Sequence, residues 1–232
     1  MKKPKELLEK LEAEFVKSAN KERAKQQQWY MKSQMPYFGV VMPEVKKITK
    51  KVLKEYAPEN NQEYRDMLLY IFENAKYREL WYAGLVYADR FKAYITEKNI
   101  DVYEKIVRIT NWWDIVDHVA QNLIGKALLG SKQVRKYAKK WILDDDLWIR
   151  RTALILQLKY KDKTDFQLFK ELILQVTHEK DFFIRKAIGW ALRSYSYTEP
   201  EKVICFIEQN KDKLSTLSVR EGLKVLTRNG FF

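Results

Sequence analysis

The chain of 232 residues can form one large domain or two small ones, and it is long enough to bury a sizeable core. With 46% hydrophobic and 14% aromatic residues it is not a disordered chain, and seven Gly with five Pro are too few turn-formers for an all-β sandwich of this length. Lys and Arg outnumber Asp and Glu by 44 to 31, a formal charge of +13 that points to a polyanionic partner.

In chain order, Met1-Lys2-Lys3-Pro4 and the residues after it lack the apolar core of a signal peptide. Leu7, Leu8, Leu11 and Phe15 lie on a 3.6-residue stripe and predict a first helix. A second begins near Lys21 and carries Trp29 and Tyr30, and Leu68, Leu69 and Phe72 mark another stripe. Breaks near residues 36–43, 58–61, 96–99, 130–131, 144–146, 161–164 and 198–200 divide the chain into helices of ordinary length. No alternating strand run flanked by Asn-Gly or Asp-Gly is present. No stretch approaches the ~18 apolar residues of a membrane span, and no basic amphipathic helix with a purely apolar opposite face stands out. Cys205 is the sole cysteine; its neighbours Val203, Ile204, Phe206 and Ile207 predict a buried small hydrophobe in a reducing compartment. The expectation is a cytoplasmic, monomeric, all-α protein with one domain over residues 1–232.

Residues 111–117 read Asn-Trp-Trp-Asp-Ile-Val-Asp. Two adjacent indoles and two carboxylates stand at one helix start in a strongly basic chain. Carboxylates repel phosphate, so an acid on a polyanion-binding surface is better explained by chemistry at a developing positive charge. Trp113 and Asp117 are four residues apart and share a helix face. Asn111 reads as an N-cap with Asp114 near the first-turn amides, which makes Asp114 structural and Asp117 the candidate for work. Taken alone, the heptad reads more readily as a core Trp pair beside a solvated acid.

An internal repeat predicts a helical solenoid. Shifting residues 146–160 by 35 superposes Asp146 on Asp181, Trp148 on Phe183, Ile149 on Ile184 and Arg150 on Arg185. It also superposes Arg151 on Lys186 and Tyr160 on Tyr195, and brings Trp113 onto Trp148. The repeated Asp is expected to cap an inner helix. Trp148 and Phe183, recurring at the period, read as wedges between repeats. Arg150, Arg151, Arg185, Lys186 and Arg193 then fall on or near a concave surface, giving a basic groove of duplex size; a peptide groove is the alternative.

His118 and His178 have no Cys or second His at ligand spacing, which leaves no zinc site, and no Gly-rich phosphate loop or nucleophile elbow is present. No metal and no cofactor is expected. His118 follows Asp117 directly and is expected on another helix face.

Trp112-Trp113-Asp114-x-Val116-Asp117 resembles the motif of the AlkD-type DNA glycosylases, HEAT-like alkylation-repair enzymes. The resemblance runs through Tyr30-Met31-Lys32, Phe38-Gly39-Val40 with Pro43, and Leu147-Trp148-Ile149-Arg150-Arg151. It continues in Gln157-Leu158-Lys159-Tyr160-Lys161 and in Phe182-Phe183-Ile184-x-Lys186-Ala187-Ile188-Gly189-Trp190-x-Leu192-Arg193. It implies a HEAT-like solenoid, curved or right-angled, that excises positively charged N3- and N7-alkylpurines from duplex DNA without metal or cofactor. By the same resemblance Asp117 is the catalytic carboxylate, Trp113 and Trp190 pack on the sugar and backbone of the damaged nucleotide, and Tyr30 and Arg151 line the groove. Without it, Trp190 and Tyr30 would be read as core. The chemistry is compatible with the residues, since N-glycosidic cleavage passes through an oxocarbenium-like sugar that a carboxylate and indole faces stabilise. The competing expectation is a non-catalytic scaffold for structured DNA or an acidic protein.

Overall fold

A computed structural model of the chain describes residues 2–231, and among these there is no strand. Helices α1 (Lys2–Lys17), α2 (Lys21–Met31), α3 (Met42–Val52), α4 (Asn61–Asn74), α5 (Arg78–Arg90) and α6 (Ile100–Thr110) come first, with two 3-10 turns between α5 and α6. Next are α7 (Trp113–His118), a π-helical stretch Val119–Ile124, α8 (Gly125–Leu128), α9 (Val134–Trp141) and α10 (Leu147–Ile155). The chain continues with α11 (Phe166–Gln175), α12 (Phe182–Ser196), α13 (Pro200–Gln209) and α14 (Thr216–Arg228). Every break anticipated from the sequence overlaps a joint between α-helices, with Met42, Pro43, Asn61 and Pro200 already inside the helices that follow. The fold is all-α and built of repeated helix pairs. One compact unit ends at Thr110 and a second begins at Asn111, a junction that no shift in composition marks. No described helix is long and apolar enough to cross a membrane.

In the first unit the α1 stripe is buried as its spacing predicts: Leu7, Leu11 and Phe15 are fully covered. In α4 the covered face is Tyr64, Met67, Leu68, Ile71 and Phe72, while Leu69 lies off it and is half-buried. α2 follows a different rule, because Met31 is its one buried residue. Polar ties hold it instead. Asn20 caps it by accepting from the Arg23 amide at 2.9 Å, Arg23 Nε donates to the Gly39 carbonyl, and Gln27 Nε2 donates to Val40 O at 3.3 Å. The loop that receives these bonds is fixed by Glu79 of α5, whose buried carboxylate accepts from the amides of Phe38 (3.0 Å), Gly39 (2.8 Å) and Val40 (3.0 Å). Gly39 has φ +85°, and a Cβ there would sit 2.1 Å from the Asn20 carbonyl oxygen, so only glycine lets loop and helix close. The Phe38-Gly39-Val40 block therefore has a structural cause.

In the second unit α10 packs against α7, α9, α11 and α12, and α12 packs against α13 and α14. The anticipated caps are present. Asp146 accepts from the Trp148 amide at 2.8 Å, and Asp181 accepts from the Phe183 amide at 2.6 Å. A Cβ on Gly189 would lie 2.5 Å from Glu221 Cβ and 2.9 Å from Ser218 O, so this glycine sets how closely α12 and α14 approach. Cys205 is exposed rather than buried. On α13 the buried face is Val203, Phe206 and Ile207, and position 205 falls outside it despite its apolar neighbours.

Candidate active site

The helix carrying Asp117 starts one residue later than its sequence suggests. Asn111 is not the N-cap: its backbone is left-handed, φ +32°, a conformation Asn tolerates better than most residues. Trp112 takes the N-cap position with an extended backbone and no side-chain cap. Trp113 is therefore the first helical residue, and Asp114 lies in the first turn, where a negative charge meets the unsatisfied amides. Asp117 follows one turn after Trp113, and both are half-buried. The π-helical stretch begins two residues after Asp117 and buries Val119, Ala120, Leu123 and Ile124. A buried bond from the Tyr160 hydroxyl to the Gly125 carbonyl at 2.8 Å ties the end of this segment to the stretch after α10.

Asp117 and Arg151 form a bidentate pair. Arg151 Nε donates to Asp117 Oδ1 and an η nitrogen to Oδ2, each at 2.8 Å, while the other η nitrogen donates to the Phe183 carbonyl at 2.6 Å. Side-chain exposure is 4% for Arg151 and 14% for Asp117. Burial pushes the Asp117 carboxyl above the ordinary aspartate value and the charge of Asp114 adds to this; the Arg151 bonds and charge oppose it. A neutral Asp117 would leave the buried Arg151 guanidinium without its counter-charge. The ionised carboxylate is thus the form that the pair favours near neutrality.

The repeat explains why these two residues meet although 34 positions separate them. Counted from their helix starts at Trp113, Leu147 and Phe182, Asp117, Arg151 and Lys186 occupy the same position of α7, α10 and α12. The acid of one repeat thereby faces the base of the next. Lys186 continues the series outward: its Nζ lies 2.7 Å from Glu221 of α14, and Arg193 donates to the other oxygen of Glu221 at 2.6 Å. These two cations hold the Glu221 carboxyl below its ordinary value, the Lys186 bond contributing most. Arg150 is paired bidentately with Glu179 at 2.9 and 3.0 Å, and Arg185 Nε donates to the Glu179 carbonyl at 2.9 Å. The basic residues expected on a groove are therefore all tied within this unit. Sequence reading missed the carboxylate partners Glu179 and Glu221; the first lies 29 residues from Arg150 and the second 28 from Arg193, and no local spacing signals them.

The aromatic residues divide in the same way. Trp148 and Phe183 pack at a tilt of 50° with centroids 4.8 Å apart, and Trp112 joins them at 5.7 and 5.5 Å, three rings forming a wedge at the N-terminal ends of α7, α10 and α12. Trp112, the N-cap residue of α7, rather than Trp113, is thus the third ring of this cluster, although it does not hold the same helix position as Trp148 and Phe183. Arg151 Cζ lies 6.0 Å from the ring centres of both Phe183 and Trp190, so Trp190, half-buried on α12, shares its cation with Asp117. Within this unit the structure brings together Asp117, Arg151 and Trp190, with Trp113 one turn from Asp117. Tyr30 belongs to the first unit, where it is 71% exposed on α2. A recess of about 570 Å³ in the second unit is lined by Leu154, Gln157, Phe169, Ala191, Tyr195 and other residues, none of them from the Asp117 pair. Among the described residues no group of three His, Cys, Asp or Glu side chains is placed to hold a metal ion.

A family profile described as DNA alkylation repair enzyme matches residues 11–226. Among solved structures, one described as a predicted DNA alkylation repair enzyme from Enterococcus faecalis is 31% identical, with 90% of this chain and 96% of that chain covered and a TM-score of 0.78. No curated protein matches.

Proposed function

The chain belongs to the DNA alkylation repair enzyme family, and from that premise we propose that it is a monofunctional DNA glycosylase releasing positively charged N3- and N7-alkylpurines from duplex DNA. The observation that carries this reading is a mostly covered carboxylate bound bidentately by a buried arginine, with an indole against that arginine and another one turn away. Such a group suits a reaction in which positive charge appears on a sugar. When the C1′–N bond of a cationic purine breaks, its electron pair returns to the base, which leaves neutral, and the sugar becomes oxocarbenium-like. Asp117 faces that charge; Trp113 and Trp190 add quadrupole attraction worth roughly 0.5–2 kcal/mol each. Each carboxylate oxygen has a second lone pair beyond the one Arg151 uses, so Asp117 can also accept the proton of the water that adds to C1′. The products are the free base and an abasic sugar.

Arg151 is then a positioning residue. Its guanidinium fixes the orientation and charge of Asp117, and its slight exposure leaves little of it for phosphate. Phosphate contact falls to better exposed cations of the set, of which Lys186, at 37% side-chain exposure, is one. Tyr30, exposed on α2 of the first unit, is a DNA contact of that unit in this reading. The test is release of free base from duplexes that differ only at one nucleotide. N7-methylguanine is expected to be released, and neutral hypoxanthine, which needs protonation to leave, is not. Equal release of the two would require a general acid and would overturn the assignment of Asp117.

A further inference from the structure

α2 presents what a helix usually hides. Of its eleven residues only Met31 is buried, while Trp29 and Tyr30 are 82% and 71% exposed. Large aromatic side chains carry about 150–250 Å² of mostly apolar surface and are generally covered. Fraying does not explain the exposure. The helix is capped by Asn20, bonded by Arg23 and Gln27 to a loop that Glu79 fixes, and closed at its far end by Gln28 Nε2 donating to Ser33 O at 3.2 Å. These polar ties stand in for an apolar face, which leaves the two rings outward on a rigid support. Lys25 lies one turn before Trp29 on the same face, and Lys32 follows the helix in a left-handed backbone, φ +49°. A recess beside the indole is lined by Lys25, Gln28, Trp29, Tyr30, Lys32 and neighbouring residues. Glu22, the helix's one acid, sits in its first turn two turns away, where it complements the helix N-terminus.

We propose that Trp29 is a DNA-contacting residue of this chain, its indole packing on the sugars and base edges of the duplex while Lys25 and Lys32 meet the flanking phosphates. The proposal rests on the DNA reading above. An exposed indole flanked by lysines matches a duplex backbone, apolar sugar faces set between phosphates, and contacts to sugar and phosphate carry no sequence information. A second copy of the chain or an acidic protein would meet the same lysines, and both are outcomes of the test.

Binding of a labelled undamaged duplex is measured by fluorescence anisotropy for wild type, W29A, W29F and K25A across a salt series. W29A is expected to bind roughly tenfold more weakly with an unchanged slope of log K against log [salt], because an indole neutralises no phosphate. W29F should keep most of the affinity, and K25A should lower the slope by about one. The ring is outside the core, so W29A should unfold at the wild-type temperature. Wild-type affinity in W29A, with wild type binding duplex normally, would overturn the Trp29 proposal alone. Failure of wild type to bind duplex at all would remove the DNA reading and this proposal together. A W29A variant that binds DNA normally but loses self-association in sedimentation, or affinity for an acidic peptide, would reassign the surface.

Discussion

Arg151 donates two hydrogen bonds to Asp117 where neither meets much water, and that makes the working charge of Asp117 a property of the pair. Replacing Asp117 by Asn removes the negative charge but leaves one oxygen for Arg151. Base release in single-turnover assays should fall at least about tenfold, equivalent to about 1.4 kcal/mol of transition-state stabilisation. The melting temperature should fall too, since the buried guanidinium loses its counter-charge, while the folded variant should still bind duplex. The sign of the pH effect follows from the opposing influences on Asp117. Burial raises its pKa and Arg151 lowers it, with the net direction upward from 3.8. Activity that needs the carboxylate should therefore be lost as pH falls through a value above the ordinary aspartate range. In Arg151→Gln the lowering influence disappears, so the acid limb of a single-turnover pH profile should move to higher pH, with partial recovery of rate on the alkaline side. An unmoved limb would mean that Arg151 acts on DNA or on stability instead of on Asp117. Asp117 was singled out in the sequence by its spacing to Trp113 together with the family motif; its pairing with Arg151 was not legible there, because pairing across 34 residues depends on two helices lying side by side.

At the level of the helices, positions that sequence marks as motif serve to seat the site. Gly189 precedes Trp190 and lets α14 approach α12 closely enough for Glu221 to take both Lys186 and Arg193. Gly189→Ala should destabilise the protein by about 1–3 kcal/mol through overpacking against backbone, read as a lower denaturation midpoint. Glu79 has the corresponding role beneath α2. Its carboxyl is pushed up by burial, yet three amides depend on it. Glu79→Gln puts an amide NH₂ against N–H donors and should cost about 1–3 kcal/mol, with protease cleavage rising between residues 33 and 41. The capping acids Asp146 and Asp181 were readable because a cap is local, acting within three residues of itself. Asn111 was misplaced by one position because the side chain that reads as a cap belongs to a residue whose backbone has turned left-handed before the helix begins.

Across the whole molecule the charge of +13 predicts duplex affinity that falls steeply with salt. The ion pairs sharpen that expectation. Arg151, bound to Asp117 and 4% exposed, should contribute nothing to the salt slope, whereas Lys186→Ala should reduce the slope of log K against log [salt] by about one. A reduced slope for the arginine variant and none for the lysine variant would reverse the proposed division between positioning and phosphate contact.

The sequence by itself determined the all-α class, the helix joints and the aspartate caps, and it marked Asp117 as the acid on which the chemistry is proposed to turn. Each of these depends on residues within a turn or two of one another, or on a repeat that restates the same local pattern. Tertiary structure decided the rest. It paired Asp117 with Arg151, set Trp112 in place of Trp113 beside Trp148 and Phe183, moved Cys205 to the surface, and turned Trp29 and Tyr30 outward. Helical periodicity defines which residues share a face. Which face is covered, and which side chain waits on the neighbouring helix, follows from how the helices stack, and residues 28 to 41 positions apart carry that information only once the chain has folded.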